Sequence, residues 1–204
     1  MAIALTPFRG FCGFLPLPQL LFLLSTIPEM KSLVGTSTLD KLASSLDLGS
    51  TEQLDLKELE NTAQDSVAKD AKTVEINEAQ KFALKEVFEK LMTASEEQVK
   101  STLSSLVQRY TSEPAGTSSA EKSLIPLVLE LNEQYPEDVG VLCCFVLNVV
   151  ELEVGKSVFL GADEPHAYIS GGESSSDREW WFGADERLTD IRVNRYRRMY
   201  GHFR

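Results

Sequence analysis

A chain of 204 residues with 43% apolar side chains, 25% charged side chains and a net charge of −11 is long enough for one large domain or two small ones. That acidity argues against nucleic acid, whose phosphates require a basic surface. Three cysteines, Cys12, Cys143 and Cys144, are too few and too poorly spaced for a disulfide framework, which points to a reducing, cytoplasmic compartment.

Met1 to Leu5 is a short apolar run that ends at Thr6-Pro7. From Gly10 to Pro28 no charge occurs, and Arg9 precedes the stretch, as in a secretory signal or a membrane span. Pro16 and Pro18 leave an unbroken apolar helix of only about ten residues, far short of the roughly twenty a span needs. No small-x-small cleavage site follows Leu20 to Leu24. The better reading is a core strand, a turn and a buried helix with Pro18 in its first turn. Pro28 to Val34 reads as a short helix stopped by Gly35, and Thr36 to about Thr73 has weak periodicity, with a helical stretch in LDLKELENTAQ.

The middle is more regular. Leu84, Val87, Phe88 and Leu91 recur at helical spacing, and Asn77 with Gln80 reads as a capping box. A second helix follows, with Ser95 and Gln98 as its cap pair and Leu103, Leu106, Val107 and Tyr110 on one face. After TSEPAGTSSA breaks the chain, Leu124, Leu127, Val128 and Leu131 form a third stripe. Amphipathic helices joined by polar loops predict a helical bundle.

At Tyr135-Pro136 the character changes. VGVLCCFVLNVVELEVG is rich in β-branched and aromatic residues without a helical period, and predicts strand. Gly155-Lys156 reads as a hairpin turn before SVFLGA, and Asp163 to Pro165 as a second turn before HAYIS. The expectation is antiparallel β structure of barrel or jelly-roll type, with the helical block set into it. Beyond Gly172 lie seven of the nine arginines, whereas all eleven lysines come earlier. A basic, aromatic tail at the end of an acidic chain makes a weak case for RNA or an anionic membrane. The abrupt exchange of Lys for Arg suggests a separate origin for residues 172–204, such as a retained intron or a shifted reading frame, and poor order.

His166 is one of two histidines and stands at the start of a predicted strand. It is a candidate metal ligand, but a lone histidine near a strand end is more often an ordinary surface or core residue. Glu164, Asp163, Cys143 and Cys144 are conceivable co-ligands, yet no C-x-x-C or H-x-x-x-H spacing occurs. There is no glycine-rich phosphate loop, and no Ser or Cys is paired with a His by spacing. Read by residues alone, the chain is a β domain with a helical insertion.

MAIALTPFRGFCGF, QYPEDVG and VELEVGKSVFLGADEPHAYISG, in that order, resemble type I mannose-6-phosphate isomerase, the plant-like form in particular. KFALKEVFEKLMTASEEQV resembles the same family's inserted helical domain. The resemblance implies a mixed α and β, mainly β chain: a partial cupin-type jelly-roll scaffold carrying an inserted α-helical domain. It divides the chain into a cupin strand segment (1–15), the helical insertion (16–134), further cupin strands with the metal motif (135–171) and the divergent tail (172–204). It implies zinc-dependent interconversion of mannose 6-phosphate and fructose 6-phosphate, with zinc held by a glutamine, two histidines and a glutamate.

Carried over by position, His166 matches a zinc ligand and Tyr168 an aromatic residue that lines the substrate pocket. The glutamate ligand would stand immediately before Met1, and the glutamine and first histidine further upstream. The positions of a downstream glutamate and arginine fall on Ser175 and Asp185. The expectation is therefore an isomerase truncated at both ends and inactive alone, with no catalytic residue assigned, no nucleic-acid or membrane partner, and open sheet edges available for association. The alternatives are a non-catalytic fragment that pairs with a full-length isomerase, and a metal-free sugar-binding cupin remnant.

Overall fold

The computed structural model describes residues 2–61, 76–112, 118–159, 165–171 and 173–175. The chain forms two compact units, one from Met1–Phe14 with Leu147–Arg204 and the other from Leu15–Val146. The helical unit thus begins one residue earlier and ends twelve residues later than the 16–134 span expected from sequence (134 against 146). Most of the tail, including Asp185, lies outside the described residues, as does the turn residue Asp163.

The β unit holds β1 (Ala2–Ala4), β2 (Phe8–Phe14), β3 (Leu147–Leu152), β4 (Ser157–Val158), β5 (His166–Ser170) and β6 (Glu173–Ser175). They make two antiparallel three-stranded sheets in the orders β4-β1-β6 and β3-β2-β5. Each sheet is centred on a strand from the start of the chain and flanked by strands from beyond the helical unit. Gly155-Lys156 is a turn, with Gly155 at φ 80°, but it does not close a hairpin. The Gly155 N–H donates to the Ala4 carbonyl, and the Ala4 N–H donates to the Lys156 carbonyl. The turn therefore carries the chain from one sheet to the other: β3 pairs with β2, and β4 with β1.

In the helical unit, α1 (Leu17–Thr26) carries Pro18 in its first turn, where the missing N–H costs no intrahelical bond. Leu20, Leu21, Phe22, Leu23 and Leu24 are all buried, so this helix is apolar around its circumference because it runs through a core. No helix among the described residues is long and apolar enough to cross a membrane. Ile27 adopts an extended backbone before Pro28, which ends α1 and starts α2 (Pro28–Val34). Gly35, at φ 87°, separates α2 from α3 (Thr36–Ser45), which buries Leu39, Leu42 and Ala43. The weak sequence pattern there conceals a regular helix. A further helical stretch covers 56–61.

Next come α4 (Glu78–Met92), α5 (Glu96–Thr111) and α6 (Ser119–Gln134). Both expected capping boxes form: Asn77 and Gln80, and Ser95 and Gln98, exchange side-chain and backbone hydrogen bonds. Leu84, Val87, Phe88 and Leu91 are buried as their spacing predicts. In α5, Val99 joins Leu103, Leu106 and Tyr110 inside while Val107 is half-buried; in α6, Leu124 is half-buried beside buried Leu127, Val128 and Leu131.

The clearest departure is Val139–Phe145, expected as strand and found as a tight 3-10 segment with all seven residues buried. The Asp138 carboxylate accepts the Gly140 N–H at 2.7 Å and starts this segment. The run packs against α1, α4 and α6, and short apolar runs do not distinguish the two conformations by composition.

Candidate functional site

The face that holds His166 is set by the β3-β2-β5 register. Side chains of directly paired residues share a face, and alternate residues along a strand return to it. Cys12 pairs with His166, and Gly10 pairs with both Tyr168 and Val150. Phe8 pairs with Leu152. One face thus gathers Phe8, Gly10, Cys12, Val150, Leu152, His166 and Tyr168. The opposite face carries Phe11, which is fully buried, with Val149 and Ala167.

His166 and Tyr168, two residues apart on β5, are half-buried, with ring centroids 6.2 Å apart. Phe8 meets the Tyr168 ring edge to face at 5.4 Å and 70°. Two irregularities shape this sheet. One register shift lies between Arg9 and Gly10 against β5, and another between Phe11 and Phe14 against β3. At the second, Gly13 takes φ 70° and its N–H donates to the Pro165 carbonyl at 2.8 Å. The Asn148 side-chain amide donates to the carbonyls of Cys12 and Phe14 and bridges the bulge. Phe8, Gly10, Cys12 and Asn148 were not singled out from sequence. The signal was the pair of glycines in FRGFCGF, since glycine inside a strand pattern marks a bulge or a close approach.

Of the other candidate ligands, Cys143 and Cys144 belong to the helical unit. Cys143 and Cys144 are wholly buried in the 3-10 segment of the helical unit, and burial, aided by the Asp138 charge, pushes the Cys143 thiol up to about 12. Asp163 and Glu164 lie outside the described residues; Ser175 ends β6. Among the described residues no group of three or more His, Cys, Asp or Glu stands close enough together to hold a metal ion. A zinc site takes about four ligands. Among the described residues, the donor set on this face, the His166 imidazole and the cross-strand Cys12, does not fit zinc by itself.

Residues 49–147 match the family model "Phosphomannose isomerase type I, helical insertion domain". The chain is 43% identical over 195 residues to mannose-6-phosphate isomerase of Cryptococcus neoformans, covering 94% of this chain and 42% of that protein. The chain belongs to the type I phosphomannose isomerase family. Its likeness to the Saccharomyces cerevisiae isomerase is 36% over 172 residues, covering 84% of this chain and 35% of the relative. The rat isomerase is 33% identical over 171 residues, with 84% and 34% covered. The chain thus spans less than half the length of these isomerases. Among solved structures, the apo mannose 6-phosphate isomerase of Salmonella typhimurium superposes with a TM-score of 0.50 at 22% identity, covering 84% of this chain and 33% of that one. The same enzyme bound to fructose 6-phosphate and zinc gives a TM-score of 0.50 at 22% identity, with 84% and 32% covered. At that identity the likeness speaks for the fold, a mixed helix and sheet architecture with a helical insertion.

Proposed function

We propose that this chain is part of a mannose-6-phosphate isomerase, and that its own share of the interconversion of mannose 6-phosphate and fructose 6-phosphate is the face carrying His166 and Tyr168. The observation that supports this reading is the placement of those two rings on one face of β5, in a stretch related to the isomerases. The two antiparallel sheets are read as part of a cupin-type jelly roll, with the helical unit inserted between β2 and β3. Three cysteines without a disulfide agree with a cytoplasmic location.

Aldose–ketose isomerisation moves a proton between adjacent carbons through an enediol, so it requires a base and stabilisation of a developing oxyanion. Tyr168 offers an aromatic surface and a phenol to the sugar. His166 would hold zinc through a ring nitrogen, where the metal would polarise the sugar carbonyl, and no group of three or more metal donors stands together among the described residues. On this reading residues 1–204 do not carry the reaction alone. After dialysis against zinc, the purified 204-residue chain is expected to retain far less than about one zinc per chain. It should convert mannose 6-phosphate no faster than its His166→Ala variant in a coupled assay. Stoichiometric zinc together with turnover that His166→Ala abolishes would sink this reading.

One observation favours a second role in association. Ile3 and Leu5 on and beside β1, with Val154 and Phe159 flanking β4, expose large apolar side chains, Phe159 to 78%. Exposed apolar groups beside open strand edges favour pairing with another polypeptide. Sedimentation of the wild-type chain is expected to show concentration-dependent association that Phe159→Lys reduces; a strictly monomeric wild type would count against it.

A further inference from the structure

We propose that Phe8 and Gly10 are positioning residues that set the direction of the Tyr168 ring. This rests on reading Tyr168 as a substrate-facing residue, and it names what holds that residue in place. Three features converge on Tyr168 from the strand beside it.

The first is space. Tyr168 lies directly across the ladder from Gly10, which has no side chain to compete for the same face. A Cβ at Gly10 would sit 2.8 Å from Phe8 Cζ, 3.1 Å from Phe8 Cε1 and 2.9 Å from the Ala167 carbonyl oxygen. The backbone at Gly10 is not in the positive-φ region, so the requirement is steric: the Phe8 ring occupies the volume that a side chain at residue 10 would fill. The second is contact. Leaning over Gly10, the Phe8 ring reaches across to Tyr168 and meets it edge to face at 5.4 Å and 70°, while being only 4% exposed itself. This arrangement matches the positive ring edge to the negative ring face.

The third is the bulge. Arg9 pairs with Ser170 and Gly10 with Tyr168, so β5 fits Ile169 as an extra residue between two positions that are adjacent on β2. Bulges re-aim the side chains beside them, and they recur next to functional sites. With Phe8 on one side and the His166 ring 6.2 Å away on the other, Tyr168 is bracketed along its own face. Aromatic residues that face a ligand gain from being held in one orientation before the ligand arrives, because the ordering is then complete.

The test is an NMR measurement of the Tyr168 χ1 rotamer ratio in the 204-residue chain, with the cross-strand contacts between Cys12 and His166 as a check on the ladder. In the wild type one rotamer should dominate. Phe8→Leu, which keeps an apolar side chain but removes the ring edge, should lower that dominance by about two- to tenfold. The Cys12–His166 contacts should persist. Phe8→Tyr, which restores the edge, should recover the wild-type ratio, and Gly10→Ala, which displaces the Phe8 ring, should lower it as Phe8→Leu does. An unchanged ratio in Phe8→Leu would overturn the proposal. So would equal loss in Phe8→Leu and Phe8→Tyr together with loss of the Cys12–His166 contacts, since Phe8 would then serve only the sheet core. None of these readouts needs a sugar. Adding mannose 6-phosphate to the wild type separately tests the substrate-facing role: resonances of Tyr168 that do not respond would refute that role and leave the positioning result standing.

Discussion

Replacing Arg109 by alanine is expected to destabilise the helical unit by about 3 kcal/mol, read as a lowered urea midpoint. Arg109 on α5 donates from both Nε and a terminal nitrogen to the Glu29 carboxylate of α2, each at 2.8 Å, and reaches Glu121 of α6 at 2.7 Å. The neighbouring Tyr110 hydroxyl donates to the same Glu121 at 2.9 Å, and the guanidinium lies 4.9 Å from the Tyr110 ring centroid. The paired carboxylates, Glu29 first, hold the Arg109 guanidinium well above its ordinary range against the opposing effect of burial. Burial, followed by the Glu121 charge, likewise drives the Tyr110 phenol upward.

The size of the effect follows from exposure. The Glu121 side chain is only 4% exposed and that of Glu29 11%, so removing the cation leaves two like charges with little access to water. At 27% exposed, Arg109 itself is reached by solvent, which holds the estimate to the lower end for a broken buried pair. Arg109→Lys should restore part of the loss, because an ammonium is a point charge that cannot bridge Glu29 with two parallel bonds. Combining Arg109→Met with Glu121→Gln should cost less than the sum of the two single changes. A midpoint for Arg109→Ala within about 0.5 kcal/mol of wild type would show that this network contributes little.

Gly171→Ala is the change expected to damage the β unit most, by about 3 kcal/mol or more. Gly171 follows β5 at φ 105°, a conformation that L side chains rarely adopt. An added Cβ would also sit 2.5 Å from the Pro7 carbonyl oxygen and 2.8 Å from the Phe8 Cα. Both are backbone atoms, so relief requires moving β5 away from the start of β2, and with it the ladder that seats His166 and Tyr168. Gly155→Ala supplies the comparison. Gly155 has φ 80° but nothing within 4 Å of the added carbon, so only the conformational cost of about 1 kcal/mol applies. Hydrogen exchange at the β5 amides should therefore quicken strongly in Gly171→Ala and only slightly in Gly155→Ala. Equal protection in the two variants would contradict this account.

The helices were legible in sequence to the extent that their determinants are local. A capping box needs residues three apart, and an apolar stripe repeats within one or two turns, so Asn77 with Gln80 and Ser95 with Gln98 announce their helices without knowledge of what packs against them. Where that signal was faint, as over Thr36–Ser45, three buried apolar positions sufficed once neighbouring helices covered them. Uniformly apolar Val139–Phe145 carried no period, and enclosure by helices rather than composition made it a 3-10 segment.

By itself, then, the sequence determined the helical insertion, the antiparallel strand character of HAYIS, the family through three ordered motifs, and His166 and Tyr168 as the residues to examine. Only the tertiary structure decided which strands are neighbours. It put Cys12 opposite His166 and Gly10 opposite Tyr168, turned the Gly155 corner into a passage between sheets, and withdrew Cys143 and Cys144 into a core. The physical reason is distance along the chain. Helix bonds and caps close within four residues, whereas the partners of β2 lie more than 130 residues away, and a pairing register is written in the meeting of two strands rather than in either one alone.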